Sequence, residues 1–372
     1  MKIAFIGGHL TPALAVYEEL LKKDKSLSIV YFGRLNTFSG DKGLSLEYKV
    51  FSSFKNVFFV NLISGRFNRH LSLDNILIPF RFMVAFFQSF YWLFVYRPKV
   101  IISFGGYLSV PVVFSGFIQS IPIVSHEQTL NLGLSNKINA FFSKKMCVSW
   151  PSVLKRIKGD NIVLTGLPLR SAILKPESHE IYSQLKKENL PIVFITGGNQ
   201  GSHFINNLVK DALAELLVGY VLIHQVGVSE KYHDLQKIEE EIRKLPGILQ
   251  KRYIIKQHFS PDEIGGIYLV SDIVVGRSGI NTVSELLYLK KKAILIPLPF
   301  SAAKEQQENA KLLEGAGLAI VLNQYQTSKK TLIETLFKIQ SLKINTRVYV
   351  EYENLFPKAS KKIADEIWQL IK

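Results

Sequence analysis

The sequence predicts an α/β protein of two Rossmann-like, doubly wound domains facing a cleft. Three observations carry that expectation. Short apolar runs alternate with helical patterns along all 372 residues. The runs fall into two sets of about six, parted by the polar stretch Lys175-Pro-Glu-Ser-His-Glu180. A glycine turn follows four of the runs and precedes a helical pattern each time. Alternation of this kind calls for parallel sheets covered by helices on both faces.

In chain order, the first set of predicted strands is Lys2–Ile6, Ser28–Phe32, Val100–Ser103, Pro122–Ser125, Lys145–Ser149 and Ile162–Thr165. The second is Pro191–Thr196, Val221–Gln225, Tyr253–Lys256, Asp272–Val275, Ala293–Ile296 and Leu318–Leu322. The boundary falls near 165–178, giving domains at 1–168 and 169–350. Residues 351–372 end in an amphipathic helical pattern over Leu355–Lys372 that can pack on either domain, including back on the first. No fixed-period repeat or low-complexity tract interrupts the series.

With 47% hydrophobic and 20% charged residues, the chain is globular rather than disordered. Its single cysteine, Cys147, excludes an intrachain disulfide and reads as a core residue of a reducing compartment. The N-terminus runs straight into a strand without the apolar region of a signal peptide, so the cytoplasm is the default location. A formal charge of +16 calls for an acidic partner class: nucleic acid, anionic lipid or phosphorylated small molecules. Nothing in the sequence supports nucleic acid, since neither zinc-ligand spacing nor a nucleic-acid motif is present.

Ile76–Tyr96 is the lipid candidate. It is nearly long enough to span a bilayer but is interrupted by Pro79, Arg81, Gln88 and Ser89. It reads as a core helix, an interfacial docking helix or a true span. Arg66, Arg69, Arg81 and Arg97 lie near enough in sequence to ring such a patch.

In open parallel sheets, ligands bind at the carboxyl ends of strands. The four glycine turns stand there: Gly7-Gly8-His9, Gly105-Gly106-Tyr107, Gly197-Gly198-Asn199-Gln200-Gly201 and Ser278-Gly279. The most informative is Asp272-Ile-Val-Val-Gly-Arg277-Ser278-Gly279-Ile-Asn-Thr282-Val-Ser-Glu285. A strand, a glycine turn and a helix opening near Ile280 offer free N–H groups to an anion. Glu285, one turn further in, could take the two hydroxyls of a ribose.

His9, with Thr11 as N-cap and Pro12 as first helical residue behind it, is either a general base or a structural histidine. His126-Glu127-Gln128 follows another strand and suits binding or loop orientation. No second histidine or cysteine stands at ligand spacing, and no Asp-X-Asp occurs, so no metal site is assigned. A diphosphate would be met by helix N-termini and basic residues such as Arg170. Gln306 and Gln307 carry amides suited to sugar hydroxyls, or form an exposed helix start.

Taken in order, these motifs resemble the MurG family, the transferases that add N-acetylglucosamine to lipid I in peptidoglycan synthesis. The matching segments are Gly-Gly-His-Leu-Thr-Pro-Ala-Leu-Ala (7–15), Ser-Phe-Gly-Gly-Tyr-Leu-Ser (103–109), His-Glu-Gln (126–128) and Thr-Gly-Leu-Pro-Leu-Arg (165–170). They continue with Gly-Gly-Asn-Gln-Gly-Ser (197–202), Arg-Ser-Gly (277–279), Thr-Val-Ser-Glu (282–285) and Gln-Gln-Glu-Asn-Ala (306–310). The resemblance implies a GT-B fold, with the sugar nucleotide mostly in the second domain and the acceptor and membrane at the first. It implies Glu285 at the ribose, Gln306 and Gln307 at the sugar, Arg170 and the 197–201 loop near the nucleotide, and His9 as the base. A hydrophobic, basic-rimmed membrane patch in the family favours interfacial docking for part of 76–96.

Three positions depart from the family pattern. The first loop is usually Gly-Gly-Thr-Gly-Gly-His, against Gly7-Gly8-His9 here; Thr129 replaces an asparagine, and Asn199 a serine. The missing loop residues include a threonine near the reacting groups and N–H donors for the lipid diphosphate.

The expected function is therefore inverting transfer from UDP-N-acetylglucosamine to a polyprenyl-diphosphate-linked muramyl pentapeptide. UDP-sugar, lipid-linked glycan and an anionic membrane surface are the expected partners, with no tightly bound cofactor and the need for a divalent ion left open. Rivals are transfer to another lipid or polysaccharide acceptor, a sugar-nucleotide 2-epimerase using Glu127, and a non-catalytic UDP-sugar-binding subunit.

Overall fold

Among the described residues, thirteen strands form two all-parallel sheets. The computed structural model describes residues 1–36, 44–63, 78–157, 159–177, 182, 184–229, 231–301 and 304–371. Two compact units hold one sheet each: 1–169 with 355–372, and 170–354.

The first sheet contains β1 (Lys2–Ile6), β2 (Ser28–Gly33), β3 (Val57–Asn61), β4 (Ile101–Ser103), β5 (Ile123–Glu127), β6 (Lys145–Val148) and β7 (Ile162–Leu164), in the order β3-β2-β1-β4-β5-β6-β7. The second contains β8 (Ile192–Thr196), β9 (Val221–Gln225), β10 (Tyr253–Lys256), β11 (Ile273–Gly276), β12 (Lys292–Leu295) and β13 (Ala319–Val321), in the order β10-β9-β8-β11-β12-β13. Central strands such as Ile192-Val-Phe-Ile-Thr196 are buried throughout. That burial is why they read as continuous apolar runs rather than alternating ones.

Two features of the first sheet differ from expectation. β3 is an additional strand at the sheet edge; its Phe58 stays half exposed, so the segment lacks the uniform apolar signal of a central strand. β5 runs two residues past Ser125, because His126 and Glu127 continue in register with Cys147 and Val148 of β6. Two predicted loop residues are therefore strand residues. Cys147 itself is buried and free, and burial pushes its thiol pKa up, so it is inert core.

The aromatic segment forms a helix over Ile78–Tyr96 with two apolar faces. Ala85, Ser89 and Leu93, four residues apart, are buried. Phe80, Met83, Phe87, Tyr91 and Phe94 form an exposed stripe, with Phe80 69% and Phe87 61% exposed. The helix packs beside Ser109–Ile118, where Gln119 Nε2 donates to the Phe90 carbonyl (3.0 Å) and Ser115 Oγ to that of Phe86 (3.1 Å). No helix among the described residues is long and apolar enough to cross a membrane. Arg66, Arg69 and residues 76 and 77 lie outside the described residues.

The helix Ala359–Gln369 belongs to the first unit. Its Ile363, Ala364 and Ile367 join the buried cluster of Ile3, Phe5, Val16, Leu20 and Ile29, and Lys23 pairs with Asp365 at 2.6 Å. The second unit has its own core, built from β8, β9 and β11 against helices His203–Asp211 and Leu213–Gly219.

Candidate functional site

Each sheet has one place where strand order reverses: between β1 and β4 in the first unit, and between β8 and β11 in the second. The chains leaving these neighbours part to opposite faces, and a crevice opens at their carboxyl ends. All four glycine turns stand at these two reversals.

In the first unit, the loop after β1 has only Gly7, Gly8 and His9 before the helix Leu10–Lys23. A Cβ on Gly8 would stand 2.4 Å from the Gly105 carbonyl oxygen, so the two turns touch backbone to backbone and only glycine fits. The short loop also moves the helix start. His9, not Thr11, occupies the N-cap position, and its ring makes no capping hydrogen bond. Pro12 becomes the third helical residue, where its missing N–H is still among those without an intrahelical acceptor.

His9 is partly exposed. Burial lowers its pKa and the nearby Glu127 carboxylate opposes this; burial prevails, so the ring is neutral at pH 7. His126 is a different kind of histidine. It is fully buried, edge-on to Phe104, with Nε2 3.0 Å from Ser149 Oγ, and burial takes its pKa down to about 3.

The Glu127 carboxylate accepts from Thr129 N (2.9 Å), Thr129 Oγ1 (2.7 Å), Gly133 N (2.8 Å) and Asn136 Nδ2 (3.0 Å). It thereby holds the 129–136 loop and the start of the helix Leu134–Phe142. The Gln128 carbonyl accepts from Trp150 Nε1, while its buried Oε1 has no hydrogen-bond partner among the described residues.

In the second unit, Ser202 caps the helix His203–Asp211 and accepts Arg277 Nη2 at 2.8 Å; Arg277 Nη1 donates to the Ile296 carbonyl. Burial takes the Arg277 pKa down to about 10, which leaves it cationic at neutral pH. This cation therefore ties the loop after β8 to the one after β11, beside two helix N-termini. Gly198 has φ +82, and a Cβ there or on Gly279 would meet nothing within 4 Å. Those two surfaces are open to a ligand. Asn199 and Gln200 are exposed, Gly201 is half-buried, and the Asn199 carbonyl accepts Val228 N. Ser278 Oγ donates to the Gln306 carbonyl, and Thr282 is half-buried in the first turn of Ile280–Tyr288.

Glu285 is almost fully buried and accepts both Nε (3.2 Å) and Nη2 of Arg170; Tyr268 also hydrogen-bonds it. Gln306 Oε1 accepts Leu298 N (2.8 Å), and Gln307 holds Ser301 Oγ and the Leu298 carbonyl. Gln307 also lines a pocket of about 420 Å³ with Pro297, Pro299, Leu322, Asn323 and Tyr325. A pocket of about 590 Å³, floored by Phe141, Met146, Val153 and Ile162 over β6 and β7, contains none of the predicted site residues. Among the described residues, no group of three or more His, Cys, Asp or Glu could hold a metal.

Residues 6–148 match the glycosyltransferase family 28 N-terminal domain, and residues 192–367 its C-terminal domain. The chain is 34% identical over 341 residues to the UDP-N-acetylglucosamine--N-acetylmuramyl-(pentapeptide) pyrophosphoryl-undecaprenol N-acetylglucosamine transferase of Clostridium kluyveri, covering 91% of this chain and 89% of that one. It is 31% identical to the protein of the same name from Clostridium novyi, covering 98% and 95%. The chain belongs to glycosyltransferase family 28, and within it to the MurG family.

The fold is GT-B-like, as in the crystal structure of Acinetobacter baumannii MurG (TM-score 0.67, 20% identity, 99% of this chain and 100% of that one). A UDP-GlcNAc 2-epimerase from Neisseria meningitidis bound to UDP-GlcNAc shares the fold (TM-score 0.63, 14% identity, 99% and 100%).

Against the MurG pattern, Thr129 stands where asparagine is usual, and both its N–H and its hydroxyl reach Glu127. Glu47 and Tyr31, which meet at Gly7, and Arg34, whose charge acts on Glu47, were not singled out from sequence. Glu47 follows a stretch with no periodic signal, and Arg34 stands alone after β2.

Arg170 and Glu285 form a site that is stable only as a pair. Arg170→Leu strands the Glu285 carboxylate and is expected to cost the second unit about 3 kcal/mol. The check is amide exchange of β8 and β11 against urea; adding Glu285→Gln should recover most of the loss.

Proposed function

We propose that this chain transfers N-acetylglucosamine from UDP-N-acetylglucosamine to a polyprenyl-diphosphate-linked muramyl pentapeptide, forming a β-1,4 link with inversion. The observation that carries this reading is the 34% identity over 91% of the chain to a transferase of that name.

Glu285 receives the ribose hydroxyls, with Arg170 holding its carboxylate in place. The donor diphosphate lies over Gly198 and Gly279, where Arg277 and two helix N-termini meet its charge, both before and after UDP leaves. Gln306 and Gln307 exchange their contacts with the 298–301 loop for hydroxyls of the sugar. Asn199, Gln200, Gly201, Ser278 and Thr282 complete the donor contacts. On the acceptor side, neutral His9 removes the proton of the attacking hydroxyl while Gly8, Gly105 and Gly106 shape the floor. A single displacement from the α-linked donor gives the β-product. The four hydrogen bonds on Glu127 favour this reading over an epimerase, which would need that carboxylate as an acid or base.

The same reading makes the protein peripheral on the inner face of a bacterial cell membrane. The exposed Phe80, Phe87 and Phe94 would dip into the interface, beside Arg81 and Arg97 and the exposed Phe117 and Ile118.

Radiolabelled UDP-N-acetylglucosamine and lipid I should yield a disaccharide lipid; donor that binds but is never transferred would overturn the assignment. His9→Ala should lose about a hundredfold in turnover. Because the folded-state pKa of His9 is lowered, its neutral form persists on acidification. The acid limb of kcat/KM should therefore lie below the ordinary histidine value of about 6.5. A limb at or above that value would remove His9 as the base. A Phe80→Ser, Phe87→Ser, Phe94→Ser variant should melt as the wild type does yet stop floating with anionic liposomes.

A further inference from the structure

Gly198 owes its open surface to the segment behind it. Gln225, the last residue of β9, is buried and donates from Nε2 to the Gly198 carbonyl (3.2 Å) and to Thr196 Oγ1 (3.3 Å). Thr196 Oγ1 also accepts Gly198 N at 3.0 Å, so both polar groups of that glycine are tied. Gly201 and Gly227 meet back to back. A Cβ on Gly201 would stand 2.0 Å from the Val226 carbonyl oxygen, and one on Gly227 2.2 Å from the Gly201 Cα. Val228 N donates to the Asn199 carbonyl at 3.0 Å. The 197–201 loop is therefore cast against residues 225–228.

That segment and the helix His203–Asp211 are joined in turn by a buried chain of hydrogen bonds that ends on Asp234. Asn206 Nδ2 donates to the Val226 carbonyl (3.1 Å) and to Asp234 Oδ2 (2.8 Å), and Asn206 Oδ1 lies 3.2 Å from His224 Nε2. Burial takes the His224 pKa down to about 3, so its ring is neutral. With Nε2 donating to Asn206, its Nδ1 accepts the Tyr253 hydroxyl at 2.6 Å. The other Asp234 oxygen, Oδ1, lies 2.7 Å from His203 Nδ1, and Asn207 Nδ2 lies 2.9 Å from His203 Nε2. An amide N–H directed at Nε2 leaves the ring proton on Nδ1, which donates to Asp234. Every direction in the chain is thus fixed.

Asp234 is not itself at the Gly198 surface, where an added Cβ would meet nothing within 4 Å. It holds His203 and Asn206, about one turn apart at the start of the helix whose N-terminus faces the donor charge. Through Asn206 it also holds the Val226 backbone on which Gly201 rests. We infer that Asp234 is a positioning residue for the donor: it keeps the 197–201 loop and the first turn of His203–Asp211 in the shape that receives the diphosphate, without contacting it. This rests on the transferase reading, which lays the diphosphate over Gly198. The consequence is selective, since the diphosphate end of the nucleotide depends on Asp234 and the nucleoside end does not.

The experiment titrates UDP and uridine separately into the full chain, for wild type, Asp234→Leu and Asp234→Asn, with thermal melts to establish folding. Asp234→Leu should weaken UDP by about tenfold, the scale of one buried hydrogen bond lost, and leave uridine unchanged. Its KM for UDP-N-acetylglucosamine should rise while that for lipid I stays. Asp234→Asn decides even if Asp234→Leu does not fold. Asn206 cannot turn its amide over without losing both Val226 and His224, so the substituted amide must face Asn206 with its oxygen and His203 with its NH2. His203 then accepts on Nδ1 and moves its proton to Nε2. NMR of the histidine ring nitrogens at alkaline pH should show that switch, with UDP affinity between those of wild type and Asp234→Leu. An unchanged His203 tautomer, a loss shared equally by UDP and uridine, or wild-type UDP affinity in Asp234→Leu overturns the proposal. A wild type that does not prefer UDP to uridine would instead remove the diphosphate from Gly198, and one that binds neither would sink the transferase reading.

Discussion

Backbone against backbone at Gly8 and Gly105 is the contact on which the first unit's site depends. Neighbouring strands that send their chains to opposite faces leave a crevice, and the turns beside it can be brought together only where no side chain intervenes. Their contact sets where the helix after β1 begins, and hence where His9 stands. The second unit solves the same problem differently. There a side chain, Arg277, bridges the loops after β8 and β11 by hydrogen bonds to Ser202 and Ile296, leaving Gly198 and Gly279 uncovered.

Charge is distributed according to burial. His9 is neutral by desolvation even with Glu127 near, whereas His126, two strands away in the sheet order, is so enclosed that protonation is out of reach at physiological pH. Glu285 is held in a buried place by Arg170, which supplies two donors to one of its oxygens. Removing water from a carboxylate is costly unless such partners are fixed in advance. Here the partner lies on the segment leading into the second unit, and the carboxylate on a helix far along the chain.

Much of the fold was legible because parallel strands buried on both faces spell themselves as apolar runs. Twelve predicted strands have counterparts, with ends shifted by a residue or two. β3 was not legible, since an edge strand with a half-exposed phenylalanine carries no such run. The family, and the glycine turns at the strand ends, could be read directly from motif order. The start of the first helix could not: Thr11 and Pro12 look like a cap and first turn, but a three-residue loop overrides that local preference. Nor could the meeting of Tyr31 and Glu47 at Gly7, because they belong to a strand interior and a short helix that only the folded chain brings together.

The helix Ala359–Gln369 gives the chain an order of completion. Ile363, Ala364 and Ile367 are part of the core that surrounds β1, so no fragment stopping short of residue 363 contains that core whole. The second unit, by contrast, is one unbroken segment, 170–354, and holds all its own core residues. As the polypeptide leaves the ribosome, the unit begun first is thus the last to be finished, and β1, at Lys2–Ile6, waits for a helix that begins only at Ala359.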